Sequence, residues 1–135
     1  MSGRTSGNIF LALIADRQYT FGVLITFDEA PSGRRPVEEY LRSLERPDRA
    51  RVAERLQNVQ RFGFEAGGMQ FRQVKGKLWE LRIRTEEAHR IFYVTVSREE
   101  MVLLHTYHKK TQKAPSREIE TAERRMKEVL CGGED

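Results

Sequence analysis

The chain holds one cysteine, Cys131. A disulfide framework is therefore excluded, and so is a zinc site built on thiolates. The apolar run at residues 9–15 is far short of the roughly 20 residues that a membrane-spanning helix needs. It is also a poor signal peptide, since one arginine precedes it and no small-x-small cleavage pattern stands before Asp16. The expected compartment is the cytoplasm. No glycine-rich phosphate loop is present, and Gly67, Gly68 and Gly76 read as loop and turn glycines. His105 and His108 stand three apart, so within one strand they would point to opposite faces, and no third ligand accompanies them. Neither a metal nor a cofactor is expected.

What the chain does have is 135 residues, 39% of them hydrophobic, which suits one domain with its own core and argues against disorder. Residues 70–115 organise the rest. From Lys77 to Arg84 polar and apolar residues alternate, with Trp79, Leu81 and Ile83 on one face and Glu80, Arg82 and Arg84 on the other. Residues 90–96 are β-branched and aromatic almost throughout, as a central strand covered on both faces would be. Residues 101–107 form a third such run. The connections, residues 85–88 and 97–100, are short and polar, which predicts an antiparallel three-strand meander.

Before the meander, residues 23–27 read as a strand and Pro31, Ser32 and Gly33 as a turn. Val37, Tyr40, Leu41 and Leu44 fall at helical spacing after Pro36, with Glu38 and Glu39 near the positive end. Pro47 interrupts that pattern. A second helix carries Val52, Leu56, Val59 and Phe62, and Gly63 stops it. Residues 64–69 read as a loop into the sheet. After Pro115, Ser116 is a candidate N-cap for a last helix striped by Ile119, Ala122, Met126 and Val129, ended by Gly132 and Gly133. The expectation is an α+β fold in the order β-α-α-β-β-β-α. An antiparallel sheet would carry an N-terminal helical hairpin and a C-terminal helix. The domain would span residues 23–131, between an N-terminal extension (residues 1–22) and a short tail (residues 132–135). For residues 9–15 three readings stay open: an added strand, a short helix, or sequence upstream of the natural start.

The net charge of +4 is mild, but its distribution is not. From Arg72 to Lys113 ten basic residues face five acidic ones, so ten minus five leaves +5 in this segment, and four of the acids fall in the hairpin loops. Basic side chains on the sheet with acids at its turns suggest a polyanionic ligand. A solvated charged face is the alternative.

Four short stretches in order then carry a resemblance: Phe71-Arg72-Gln73-Val74, Leu78-Trp79-Glu80-Leu81-Arg82, Arg90-Ile91-Phe92-Tyr93, and the end of the sheet from Leu103 through Tyr107-His108-Lys109-Lys110-Thr111-Gln112-Lys113-Ala114-Pro115. Together they resemble the RelE/HigB-like toxins, and in particular the phage-derived HigB branch of the RelE/ParE superfamily. The resemblance spans roughly residues 24–130. It implies the toxin of a type II toxin–antitoxin pair, a ribosome-dependent mRNA endonuclease (an mRNA interferase) that enters the ribosomal A site and inhibits translation. It implies as partner a cognate antitoxin of the helix-turn-helix DNA-binding type, with operator DNA reached only through the complex. The same fold family includes ParE-like toxins that inhibit DNA gyrase without being nucleases, so a gyrase inhibitor is an alternative. An inactive phage-derived remnant that binds RNA or an antitoxin is another.

Metal-independent RNA cleavage needs a base for the 2′-hydroxyl proton, an acid for the leaving 5′-oxygen and cations for the phosphoryl oxygens. Arg90 and Arg82, on neighbouring strands, suit the last role because a guanidinium meets phosphate bidentately and stays charged. Some RelE relatives carry an arginine at the start of the equivalent strand and a Tyr-His pair at the end of the last one, the places held here by Arg90 and by Tyr107 with His108. His108 would exchange a proton near neutral pH, and Tyr107 would stack on a base or orient the phosphate. Glu80 has two readings, a base or the partner of Arg82 or of a cross-strand cation. Arg72, Lys75, Lys77, Arg84, Lys109, Lys110 and Lys113 are the RNA-binding candidates. His105 reads as a satisfied sheet histidine and Trp79 as core.

Overall fold

The computed structural model describes residues 22–107 and 115–132. The expectations for the N-terminal extension, the tail, and His108, Lys109, Lys110 and Lys113 lie outside the described residues.

The order is β1 (Leu24–Phe27), α1 (Pro36–Ser43), α2 (Arg46–Phe62), β2 (Met69–Lys75), β3 (Leu78–Arg84), β4 (Ala88–Ser97), β5 (Glu100–Tyr107) and α3 (Ser116–Gly132), with a 3-10 turn at Gly63–Glu65. The sheet runs β1-β5-β4-β3-β2. The meander β3-β4-β5 is antiparallel, as its short turns predict. Two features differ from the sequence reading. The stretch at residues 69–75 is a strand, paired antiparallel to β3, so the order gains one strand. And β1 lies parallel to β5, which makes the sheet mixed.

The sheet is covered on both faces. On one, the α1–α2 hairpin lays Val37, Leu41, Val52, Leu56 and Val59 against Ile25, Phe27, Leu81, Ile83, Ile91 and Leu103. On the other, Ala122, Met126 and Val129 of α3 pack on Leu78, Phe92, Val94, Val102 and Leu104. β4 sits at the centre and is buried toward both layers, which accounts for its unbroken apolar run. Pro36 and Pro47 both occupy first turns of helices, where a missing N–H costs nothing. Gly63 ends α2 at φ 67°, a left-handed conformation suited to glycine, and its N–H reaches the Val59 carbonyl. α3 begins at Ser116 itself, and the Pro115 carbonyl receives the N–H groups of Glu118 and Ile119.

The hairpin is tied to the sheet through a fully buried histidine that the sequence reading did not weigh. His89 lies 2.7 Å by Nδ1 from the Tyr40 hydroxyl and 2.9 Å by Nε2 from Asp48 Oδ2. Asp48 offers only acceptors, so in the neutral ring Nε2 donates to it and Nδ1 accepts from Tyr40. Thr85, in the β3–β4 turn, donates to the second Asp48 oxygen. Burial, then the Glu87 and Asp48 carboxylates, push the Tyr40 hydroxyl up to about 12, so it stays a donor. One side chain thus joins α1, α2, β4 and a hairpin turn. Replacing it (His89→Ala) opens a cavity and removes the ring that meets the Tyr40 hydroxyl and one Asp48 oxygen, and is expected to cost about 2–4 kcal/mol. The measurement is urea unfolding, with a lower midpoint at an unchanged m-value.

Candidate functional site

In an antiparallel pair, residues directly opposite each other share a face. The register therefore sets two rows of side chains across the face that carries α3. Gln70, Arg82, Arg90 and Tyr107 form one row, and Arg72, Glu80, Phe92 and His105 the next. Four of the sequence candidates thus meet at one place.

Glu80 is their hub. Its Oε1 accepts from Arg82 Nε at 3.0 Å, and its Oε2 accepts from the Tyr107 hydroxyl at 2.8 Å. Arg90 Nη1 stands 3.8 Å from Oε1, an ion pair too long for a hydrogen bond. Glu80 is only 3% exposed, so a carboxylate here depends on these three partners. Of the two readings of Glu80, the ion pair is the one present, with both carboxylate oxygens occupied. Tyr107 leans on Phe92, ring centroids 5.3 Å apart, and Phe92 in turn stacks on His105. Burial, and then the Glu80 carboxylate, raise the Tyr107 hydroxyl well above the ordinary phenol range. It remains protonated and donates.

Arg90 differs from its neighbour. Its Nη1 is buried and makes no hydrogen bond, whereas Arg82 is committed to Glu80. Two arginines against one glutamate leave the cluster net positive.

The remaining candidates scatter. Arg72 and Arg84 are exposed on the same face, at the edge of the sheet and at the β3 end respectively. Lys77 is exposed in the β2–β3 turn, and Lys75 pairs with Glu123 of α3 at 3.3 Å. His105 is satisfied on both nitrogens, by Glu118 at 2.6 Å and by Arg125 Nη1 at 3.1 Å. Trp79 faces the hairpin layer and is half-buried against it. Among the described residues no cluster of His, Cys, Asp and Glu forms a metal-binding group. No helix among them is long and apolar enough to cross a membrane.

The family model for Phage derived protein Gp49-like (DUF891) matches residues 39–127, more than half of the chain. The chain belongs to this family. It is a toxin-like family related to the RelE-type toxins. No curated protein matches the chain. The Gp49-like match runs from α1 into α3 and includes every residue of the Glu80 cluster.

Two measurements follow from this geometry. Glu80→Ala strands two buried cations and is expected to destabilise by about 3–5 kcal/mol, with Glu80→Gln, which keeps the shape and one acceptor, costing less. Chemical unfolding of both variants checks this order. Burial is the main cause that holds His105 below its ordinary value, with Arg125 adding to it against the opposing Glu118. Its folded pKa is then lower than its unfolded one, so the unfolded chain binds the extra proton and stability falls as the pH drops below about 6.5. His105→Gln should flatten the decline of Tm between about pH 7 and pH 5.

Proposed function

We propose that this chain is the toxin of a type II toxin–antitoxin pair, of the HigB kind, and that it cleaves mRNA on the ribosome. The observation that carries the reading is the net-positive cluster of Arg90, Arg82, Glu80 and Tyr107 gathered on one sheet face. Membership of a toxin-like family sets the class, and this cluster supplies the chemistry.

In this reading the scissile phosphate lies against Arg90. The guanidinium steadies the charge that builds on the non-bridging oxygens as the 2′-hydroxyl attacks phosphorus and the 5′-oxygen leaves. Tyr107, a donor at neutral pH, orients the phosphate. Glu80 positions both, holding the Tyr107 hydroxyl and the arginines rather than taking a proton itself. His108, next in the chain, would exchange the proton. Arg72 and Arg84 extend the positive face along the RNA, with Lys77, Lys109, Lys110 and Lys113 as further backbone contacts. The partners are a ribosome with its mRNA and a helix-turn-helix antitoxin, in the cytoplasm.

Arg90→Ala should lower the cleavage rate about 100- to 1000-fold, the usual effect of removing one donor to a developing oxyanion. Arg90→Lys, which keeps the charge but loses the planar fork, should fall between. Primer extension on an mRNA in a purified translation reaction, with and without ribosomes, reads the outcome. New 5′ ends that appear only with ribosomes support the reading. Growth arrest with intact mRNA and inhibited supercoiling would replace it by gyrase inhibition, and absence of both arrest and cleavage by an inactive remnant.

A further inference from the structure

The row of side chains that ends on Tyr107 begins at Gln70. Gln70 stands opposite Arg82, Arg82 opposite Arg90, and Arg90 opposite Tyr107. Opposed residues share a face, so Gln70 lies beside the Glu80 cluster, on the β2 margin of the sheet. Neighbouring strands are about 4.8 Å apart, which sets the Gln70 backbone roughly 10 Å across from that of Arg90. α3 packs farther along this face, over Leu78, Phe92, Val94, Val102 and Leu104, and Gln70 is exposed.

The other polar side chains of the two rows are charged or engaged. Arg72, Arg82 and Arg90 are cations, and Glu80 accepts from the Tyr107 hydroxyl. Both ring nitrogens of His105 are taken, by Glu118 and by Arg125. Gln70 is thus the one neutral side chain of these rows that offers a ligand an N–H donor beside a carbonyl acceptor.

That difference matters for RNA. Cations hold the phosphate backbone without reading it, whereas sequence in a single strand is read by hydrogen bonds to base edges. A phosphate at Arg90 can extend its nucleotide along the row in two directions. Toward β5 it meets the Tyr107 ring, only 7% exposed and bound to Glu80. Toward β2 the row ends in the open at Gln70. A primary amide there can grip two adjacent atoms of one base, a donor and an acceptor.

Resting on the reading of this face as an RNA-cleaving site, we infer that Gln70 contacts the base of a nucleotide flanking the scissile phosphate. It thereby sets which positions of an mRNA are cut. Gln70 is a specificity determinant and leaves the phosphate contacts to the arginines.

Sequencing all new 5′ ends from a mixed mRNA pool, in the purified translation reaction with ribosomes, tests this. The unaltered chain should favour one base beside the cut by about tenfold over the least favoured, within the range of one well-made amide–base pair. Gln70→Ala should lower that ratio to about twofold or less, with total cutting reduced far less than in Arg90→Ala. Gln70→Lys, which only donates, should raise the share of cuts beside guanine, whose O6 and N7 both accept. Ratios among sites in one reaction do not depend on how much of a variant is folded, so lost stability cannot imitate this result. An unchanged distribution in both variants overturns the inference and assigns any base preference to the ribosome or to other residues. A uniform loss of cutting at every site overturns it too, as does an unaltered chain that cuts without base preference. Absence of any ribosome-dependent cut by the unaltered chain is a separate outcome, which removes the nuclease reading itself and this role with it.

Discussion

The burial of Glu80 constrains the rest of the sheet. A carboxylate withdrawn from water costs several kcal/mol unless charge and hydrogen bonds meet it in place. Here the matching groups come from three strands: Arg82 from β3 itself, Arg90 from β4 and Tyr107 from β5. All three stand in the row next to that of Glu80 in the pairing register. A slip of β3 by one residue would swing Glu80 into the layer of Leu81 and Ile83 and turn those onto the polar face. The cluster therefore fixes register as well as chemistry. Arg90 is tied to it at Nη1 by charge alone, with no hydrogen bond there.

Strand alternation divides the molecule's duties. His89 and Arg90 are adjacent in β4, yet the first faces the helical hairpin and the second faces α3. Trp79 and Glu80 divide in the same way on β3. The hairpin side is largely apolar and is tied to the sheet by a buried histidine with Tyr40, Asp48 and Thr85, and by the Gln60 side chain. The α3 side combines an apolar centre with the polar cluster at the Tyr107 end of β5. A change in how the hairpin packs reaches Arg82 through the backbone of β3 and Arg90 through that of β4, the central strand.

Much of this was legible from residues alone. The meander followed from period-two alternation and short polar turns, and the helices from apolar spacing bounded by Pro36, Pro47 and Gly63. β2 was not, because its seven residues include Gln70, Arg72, Gln73 and Lys75, and the register shifts between Gln73 and Lys75. An edge strand buries little, so its pattern is faint. The parallel placement of β1 depends on long-range packing, including the Gln60 side chain that accepts the Ile25 N–H. For the site, the sequence offered the residue types and the resemblance, while the convergence on Glu80 required knowing which residues stand opposite. His89 left no local signal: a lone histidine at the start of a strand reads as ordinary until Asp48, 41 positions away, is seen beside it.

The polar, bulged character that hid β2 has a consequence for how copies of the protein meet one another. An open sheet ends in a row of unpaired backbone groups, and a flat apolar edge there invites a neighbour's strand. β2 carries Arg72 and Lys75 along this margin, and its register shift breaks the ladder near the strand's end. Two such edges brought together would set like charges against each other across a mismatched ladder. The same cations that give the α3 face its sign thus guard the sheet against edge-to-edge growth, and losing them to gain a weaker affinity for polyanions would carry a cost in solubility.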